Sequence, residues 1–522
     1  MVLRAQIVTG RGAKDLFIMV IKHGPNLDLT TKKKVGPPTL LLKGLIYACF
    51  GVILLIWTPF TLILDERIRM HTSLPAYIWW KSPPELLYLK AHVFNYTNTE
   101  AWFAGIDEKL NVVDLGPIVY MEYLRHTNVT FNDNSTITYV ANHTTEYLPE
   151  LNTIDLDDYI TVPNYPLLSI LSYLHDAPIF TKFAMNMLKL RLGSKVFVNV
   201  TVRDFLWNFS DPIMKLANEI VPSLVPVSNI GVLSRVYENF ADVVTMYYGS
   251  ESGHERFSLI DKFSGSEYLP NYKKCKDTLV NSTEGVTYSQ YLTKKSVLRY
   301  WRKTICKVME LNYESDVVRE GLAAYRYVVP ASTFNRTYPP EDDCYKGTYS
   351  LPNGLTDLSA CFFQVPLAAS FPHFLHGDDI IKHYVTGLTP NESLHESFVI
   401  AEPYSGVPLE QVARSQSNLI MHKMSGFGKD ISKFSETVLP MFWLEYHQIG
   451  IPSNIRVFLY IVTVLLTPLQ TILIGALFFV AALYVLKFGK ETAKANLNRV
   501  PFFDNRISLA NVKEREGFLH SV

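Results

Sequence analysis

The sequence carries five cysteines among 522 residues, and no two of them form a CxxC pair. Structural zinc sites are built from such closely spaced soft ligands, so zinc is not the reading of these cysteines. A surplus of charge is missing as well. The 49 basic residues meet 49 acidic ones, which leaves no electrostatic footprint for nucleic acid. HExxH, GxSxG, a Walker loop and GxGxxG are absent, as are repeats and low-complexity stretches. The expectation is a binding protein, not an enzyme, with no cofactor and no metal. FPHFLHGDD gathers His373, His376, Asp378 and Asp379. That spacing matches no standard ligand set and reads as a turn between elements.

Two stretches lack charge altogether. Gly44 to Leu64 runs for 21 residues and Val457 to Leu486 for 30 without one charged side chain. About 20 apolar residues suffice for a helix to cross a bilayer core, so both are expected to span. The second is long enough to tilt or to lie partly in the headgroup zone. Pro59 and Pro468 are tolerable in such helices, where neighbouring groups satisfy the freed backbone. Lys32, Lys33, Lys34 and Lys43 precede the first span, and Asp65 and Glu66 follow it beside Arg67. Lys487, Lys490, Lys494 and Arg499 follow the second, against Arg456 before it. The positive-inside bias puts both termini in the cytosol. The expected organisation is a cytoplasmic tail over 1–43, a span over 44–64 acting as an uncleaved signal anchor, an external or lumenal domain over 65–456, a second span over 457–486 and a cytoplasmic tail over 487–522.

Two further signals fall on the same side. Asn-X-Ser/Thr sequons occur at Asn95, Asn128, Asn134, Asn142, Asn199, Asn208, Asn281, Asn335 and Asn391, all between the spans. Cys49 sits in the first span as a packed or lipid-facing thiol, while Cys275, Cys306, Cys344 and Cys361 lie between the spans, where disulfides form. Four cysteines allow three pairings, and spacing does not choose among them.

Within 65–456, GPIVYMEY and STITYV have strand composition. In SKVFVNVTVRDF, Val196, Val198, Val200 and Val202 share one face at period two, opposite Asn199, so the valine face is expected to be buried. Pro166 to His175 and Asp176 to Gly193 read as two short helices, the second with Asp176 as N-cap, Pro178 in its first turn and Gly193 as its stop. A third helix is expected over VRDFLWNFSDPIMKLANEI from Val202. On the second helix Lys182, Asn186 and Lys189 form a polar face, and Phe180, Phe183, Ala184, Met187, Leu188 and Leu190 cover most of the rest. Simple packing in a helical bundle is the structural alternative for that apolar surface.

These stretches resemble the class B scavenger receptor family, which includes lysosomal integral membrane proteins and sensory neuron membrane proteins. The resemblance rests on WWKSPPELLY with Trp80, Pro83 and Pro84, FNYTN, GPIVYMEY, LNTIDLDDYITVPNYP, LWNFSDP, LPNGLTDLSAC, SFPHFLHGD, GLTPNESLH and AEPYSGVPL, in that order between the two spans. It implies an α+β membrane protein: an irregular antiparallel β-barrel ectodomain with an apical helical bundle at about 166–220 and an internal hydrophobic tunnel, anchored by two transmembrane helices. It also implies pairing of Cys275 with Cys344 and of Cys306 with Cys361. Carried over by position, the bundle's ligand-binding residues are Lys182, Lys189, Arg191 and Lys195 as a basic rim, with Phe180, Phe183 and Met187 beneath.

The function that follows is a plasma-membrane scavenger receptor that binds lipids, fatty acids, sterols or lipoprotein-like particles and passes hydrophobic cargo to the membrane. Two alternatives stay open: an adhesion or trafficking receptor for a protein ligand, such as a hydrolase or an apoptotic-cell ligand, and a sensory accessory protein for hydrophobic odorants. Two departures from the family pattern matter. The cysteines of a third disulfide are missing from CYKGTYSLPNGLTDLSAC, so that loop is expected to be less constrained. The C-terminal tail lacks an acidic dileucine signal, which favours the cell surface over an endosomal or lysosomal membrane.

Overall fold

A computed structural model describes residues 36–498, apart from 58, 68, 238–240, 250–251, 269–278, 280, 346–349 and 363. The chain divides into two compact units, one formed by Met1–Thr58 with Pro468–Val522 and the other by Pro59–Thr467.

In the first unit, helix Pro37–Ile56 starts on a proline pair whose missing N–H groups are those that a first turn leaves unused. It begins seven residues ahead of the charge-free stretch, because Thr39 to Leu42 continue the helical pattern and Lys43 alone interrupts it. It stops at Trp57, which is extended, ahead of Pro59. Its buried face is Leu40, Gly44 and Gly51. A Cβ on Gly51 would lie 3.1 Å from the Phe478 ring, and one on Gly44 3.3 Å from the Ala481 carbonyl oxygen, so small residues let the helices approach. Tyr47 stacks on Tyr484 at 5.7 Å, and the Gln470 side chain donates to the Leu54 carbonyl. Elsewhere the apolar side chains point outward: Ile56 is 69% and Ile472 67% exposed. Two helices of this length and composition, whose apolar surfaces the other described residues leave mostly exposed, fit a membrane protein. The second helix enters through Ser453–Leu459, widens to a π-turn over Tyr460–Leu465 and continues as Leu466–Leu497. The widened turn lies just before Pro468, which has no N–H to give to the ladder.

The second unit is built on an antiparallel sheet. Its path runs Ile260–Phe263, Ala241–Tyr247, Thr136–Tyr147, Leu110–Phe131, Leu87–Tyr96, Val438–Gln448, Pro408–Ile420, Phe398–Ala401, Leu322–Val328, Lys307–Arg319, Leu298–Arg302. Leu87–Tyr96 is central, pairing Leu89 with Tyr120 on one side and with Tyr446 on the other. Leu89, Ala91, Val93 and Phe94 are completely buried. Gly116 of the GPIVYMEY strand has φ +145°, and a Cβ there would meet the Ala91 carbonyl oxygen at 2.8 Å, so glycine is required at this register shift.

Among the described residues the sheet does not close into a ring of paired strands; Ile260–Phe263 and Leu298–Arg302 are its two edges. A two-residue bridge spans them. Ile260 N–H donates to the Ser282 carbonyl, Thr283 N–H donates to the Arg299 carbonyl, and the Thr283 carbonyl accepts from Trp301 N–H.

A separate two-stranded sheet, Tyr159–Pro163 with Phe197–Thr201, brackets the helices Tyr165–Tyr173 and Ile179–Leu192. Asn199 is exposed there; of the valine face expected to be buried, Val196 and Val202 are buried and Val198 and Val200 half-buried, while Phe197 on the other face is buried too. The stretch expected as one helix from Val202 folds as two, Val202–Trp207 and Pro212–Ile220. Proline at 212 disfavours helical geometry at Asp211, which instead caps the second helix by accepting from Ile213 N–H. Both earlier helices pack on Pro212–Ile220. Cys306 is joined to Cys361. Cys344 is also disulfide-bonded, and Cys275 lies outside the described residues.

Candidate functional site

The helix Ile179–Leu192 has Pro178, not Asp176, at its N-cap and ends on Gly193 in the left-handed region at φ 69°. The structure turns it opposite to the sequence expectation. Lys182 and Lys189 are buried, at 8% and 7% exposure, and the apolar residues face out, with Phe180 at 82% and Leu190 at 70%. Phe183 and Met187 are exposed on the same side. The reason lies in the loop before strand Val438–Gln448. Lys182 donates to the Ser425 carbonyl at 2.9 Å, Lys189 pairs with Asp430, and the Asn186 side chain accepts from Gly428 N–H. Three polar side chains therefore read a polar loop, and the helix face left for solvent is the greasy one. Of the expected basic rim, only Arg191 and Lys195 are exposed.

Beneath these helices lies a series of cavities within the second unit. The first, of about 250 Å3, is walled by residues such as Ile170, Leu188, Met214 and Leu224. It shares Ile230 and Val365 with a second, of about 100 Å3, lined by Val232, Leu358, Met441 and Leu444. The second shares Val236 and Thr304 with a third, of about 90 Å3. The third shares Glu122, Leu124, His143, Glu284, Arg302 and Tyr446 with a fourth, of about 220 Å3. The fourth is lined by Arg67, three residues beyond the first apolar stretch, by Trp79 and Trp80 of the following helix Pro75–Lys81, and by Ile455, Phe458 and Leu459, where the second begins. Cavities with common walls succeed one another from the helices to the chain segments that adjoin both candidate spans.

The series is apolar at both ends and charged in the middle. Glu122 is bonded to His143 Nδ1 at 2.7 Å and accepts from the Tyr237 hydroxyl at 2.5 Å. Burial pushes its carboxyl up, but the His143 contact, the Tyr237 hydrogen bond and the Arg302 charge outweigh that and hold it below the usual carboxylate range. Glu284 behaves alike: burial raises it, and His126 at 3.3 Å brings it below its ordinary value. Lys303 pairs with Asp242 at 2.8 Å. The Arg302 guanidinium carbon lies 3.5 Å from the Tyr446 ring centroid, and burial pushes the Tyr446 phenol up to about 12.

Sequence reasoning missed this charged group, although the signal was present. Glu122 follows buried Ile118 and Tyr120 at period two, and Arg302 follows buried Leu298 and Tyr300 in the same way. A charged residue in the inward phase of a strand is the mark of a polar site inside a sheet.

FPHFLHGDD is a turn, as the spacing suggested: His373, Phe374 and His376 all have positive φ. His373 is buried, with Nε2 2.9 Å from Asp114, and stacks on His395 at 4.5 Å. No cluster of metal-ligating side chains occurs among the described residues. Of the sequon asparagines, Asn128, Asn134, Asn199, Asn208, Asn281 and Asn391 are exposed. Asn95, Asn142 and Asn335 are half-buried and take part in local hydrogen bonds.

A model of the CD36 family matches residues 42–489. Scavenger receptor class B member 1 of Mus musculus is 29% identical over 408 residues, which cover 77% of this chain and 79% of that protein. The protein of the same name from Bos taurus is 28% identical over the same length. Lysosome membrane protein 2 of Homo sapiens is 27% identical over 384 residues, 73% of this chain and 79% of that relative.

Proposed function

The chain belongs to the CD36 family, and from that premise we propose that it is a cell-surface scavenger receptor that captures lipids or lipoprotein-like particles and delivers their hydrophobic cargo to the membrane. Its termini lie in the cytosol, its sheet acts as a barrel bridged at Ser282–Thr283, and the cavity series is the tunnel through it. The observation that carries this reading is the succession of shared walls from the helices to the segments beside both apolar stretches. Each methylene moved from water into such a lining gains about 0.8 kcal/mol, which is what draws an acyl chain or sterol along it. Capture falls to the outward face of Ile179–Leu192, where Phe180, Phe183, Met187 and Leu190 meet a particle surface beside Arg191 and Lys195. Exposed apolar clusters of this kind mark contact surfaces.

Ser415 and Ser417 are small residues lining the second cavity, and tryptophan at both fills it. The test expresses the wild-type chain and the Ser415→Trp/Ser417→Trp variant in cells and follows labelled particles and labelled sterol ester separately. The variant is expected to reach the surface and hold particles yet deliver little ester. Undiminished delivery through a plugged cavity rules the tunnel out.

A second reading has its own support: the same outward helix face is apolar enough to dock a folded protein. That reading makes the chain an adhesion or trafficking receptor, and it predicts protein capture indifferent to the plug.

A further inference from the structure

We propose that Arg302 and Thr304 form a polar station partway along the cavity series that recognises the oxygen of an uncharged lipid head, a hydroxyl or a carbonyl. The inference rests on the tunnel reading above and adds to it a rule of cargo choice.

Arg302 lines the third and fourth cavities, and Thr304 the second and third, so the two residues stand at the joints of the series. Their backbone is held firmly. Arg302 closes strand Leu298–Arg302, Lys303–Ile305 is a tight turn, and the next residue, Cys306, is disulfide-bonded to Cys361. Arg302 Nη2 and Thr304 Oγ1 are buried and have no hydrogen-bond partner among the described residues. A guanidinium N–H in that condition calls for an oxygen acceptor, because a buried donor left alone is unfavourable.

Charge decides which acceptor. The acidic groups of the third cavity are Glu122, Glu284 and Asp242, each already facing a partner: His143 with Tyr237, His126 and Lys303 respectively. Arg302 lines the same two cavities as Glu122, and its charge helps hold that carboxyl below the usual carboxylate range. A carboxylate head entering here comes among three acidic side chains whose cationic neighbours are already engaged, in a poorly screened space. A hydroxyl or carbonyl oxygen supplies the missing acceptor and no charge. The far part of the fourth cavity, with Trp79, Ile455 and Phe458, is apolar and receives the tail.

The experiment measures receptor-dependent uptake, with untransfected cells subtracted, of three probes sharing one tail: octadecanol, octadecane and octadecanoate, each delivered in phospholipid emulsion. Full-length wild type is expected to prefer the alcohol over the alkane by roughly ten- to a hundredfold, the range of a hydrogen bond to a charged group, and to show no such preference for the carboxylate. Arg302→Met, which keeps a flexible stem over Tyr446 without donors, is expected to bring the alcohol-to-alkane ratio near one. Thr304→Val, nearly isosteric, is expected to lower it severalfold. Results are normalised to receptor at the surface, and the wild-type ratios need no variant to be read. Equal uptake of alcohol and alkane by wild type overturns the station, as does preference for octadecanoate or an unchanged ratio in both variants. Failure to take up any of the three probes overturns the tunnel reading itself, and the station with it.

Discussion

The ammonium of Lys182 donates to the carbonyl oxygen of Ser425 at 2.9 Å and lies 5.5 Å from the Phe427 ring, on the inward side of its helix. Seven residues on, Lys189 meets Asp430 from the same side. These lysines are therefore fasteners between the helix and the loop 425–430. Lys182→Met leaves a carbonyl without its donor, and Lys189→Met leaves a carboxylate that water can partly reach. Each is expected to lower stability by about 1–3 kcal/mol, read as a shift of the urea midpoint with an unchanged slope. Variants as stable as wild type would show that the loop does not depend on them.

The outward face behaves in the opposite sense. Phe180 and Phe183 are mostly exposed, so Phe180→Asp with Phe183→Asp is expected to change stability by no more than about 0.5 kcal/mol for each residue. Binding of labelled lipoprotein-like particles is expected to fall at least tenfold, because two anchors leave the contact and charge enters it. Full binding by this variant would move the capture surface elsewhere.

The contrast between those faces marks the limit of what the sequence made legible. The spans were readable because uncharged, largely apolar stretches of 21 and 30 residues are long enough to cross a bilayer core. Strands such as GPIVYMEY and the Gly193 helix stop were readable from local propensity and backbone freedom. The orientation of Ile179–Leu192 was not, since it depends on a loop about 240 residues away that supplies a carbonyl and a carboxylate to two lysines. Amphipathicity gives two faces but does not say which partner each meets. The split of the expected third helix is written in Asp211–Pro212, a cap followed by a proline, the pair at which a new helix starts. The central charged group needed the two-residue phase of Glu122 and Arg302 to be followed across strands distant in sequence.

Cys306 and Cys361 close a loop of sequence separation 55 behind the turn that carries Arg302 and Thr304. Cross-linking a loop of that length removes chain entropy from the unfolded state equivalent to about 4 kcal/mol. Cys361→Ser is expected to lower the melting temperature and to reduce the mature receptor at the surface severalfold, measured by surface biotinylation beside total protein. Normal surface levels with an unchanged melt would mean the bond is dispensable.

Acidification is expected to weaken the fold through His395. Its Nδ1 accepts from Asn391 N–H at 3.0 Å, which an imidazolium nitrogen cannot do. Burial, followed by the neighbouring His373 and Arg414, brings its pKa down to about 4; Asp114 opposes and His92 reinforces. His422 is brought down to about 4 by burial and by His175. A lowered pKa means that between pH 6.5 and 4 the unfolded chain takes up a proton that the folded chain refuses. The stabilising contribution is therefore whole above 6.5 and disappears as pH falls toward 4. Allowing for solvent screening, each histidine accounts for about 1–2 kcal/mol over that window. Thermal melts at pH 7.4, 6.0 and 5.0 should show the loss. In His395→Gln the slope should flatten even if the variant is less stable throughout, because glutamine cannot titrate. An identical slope in that variant would place the acid sensitivity in other groups.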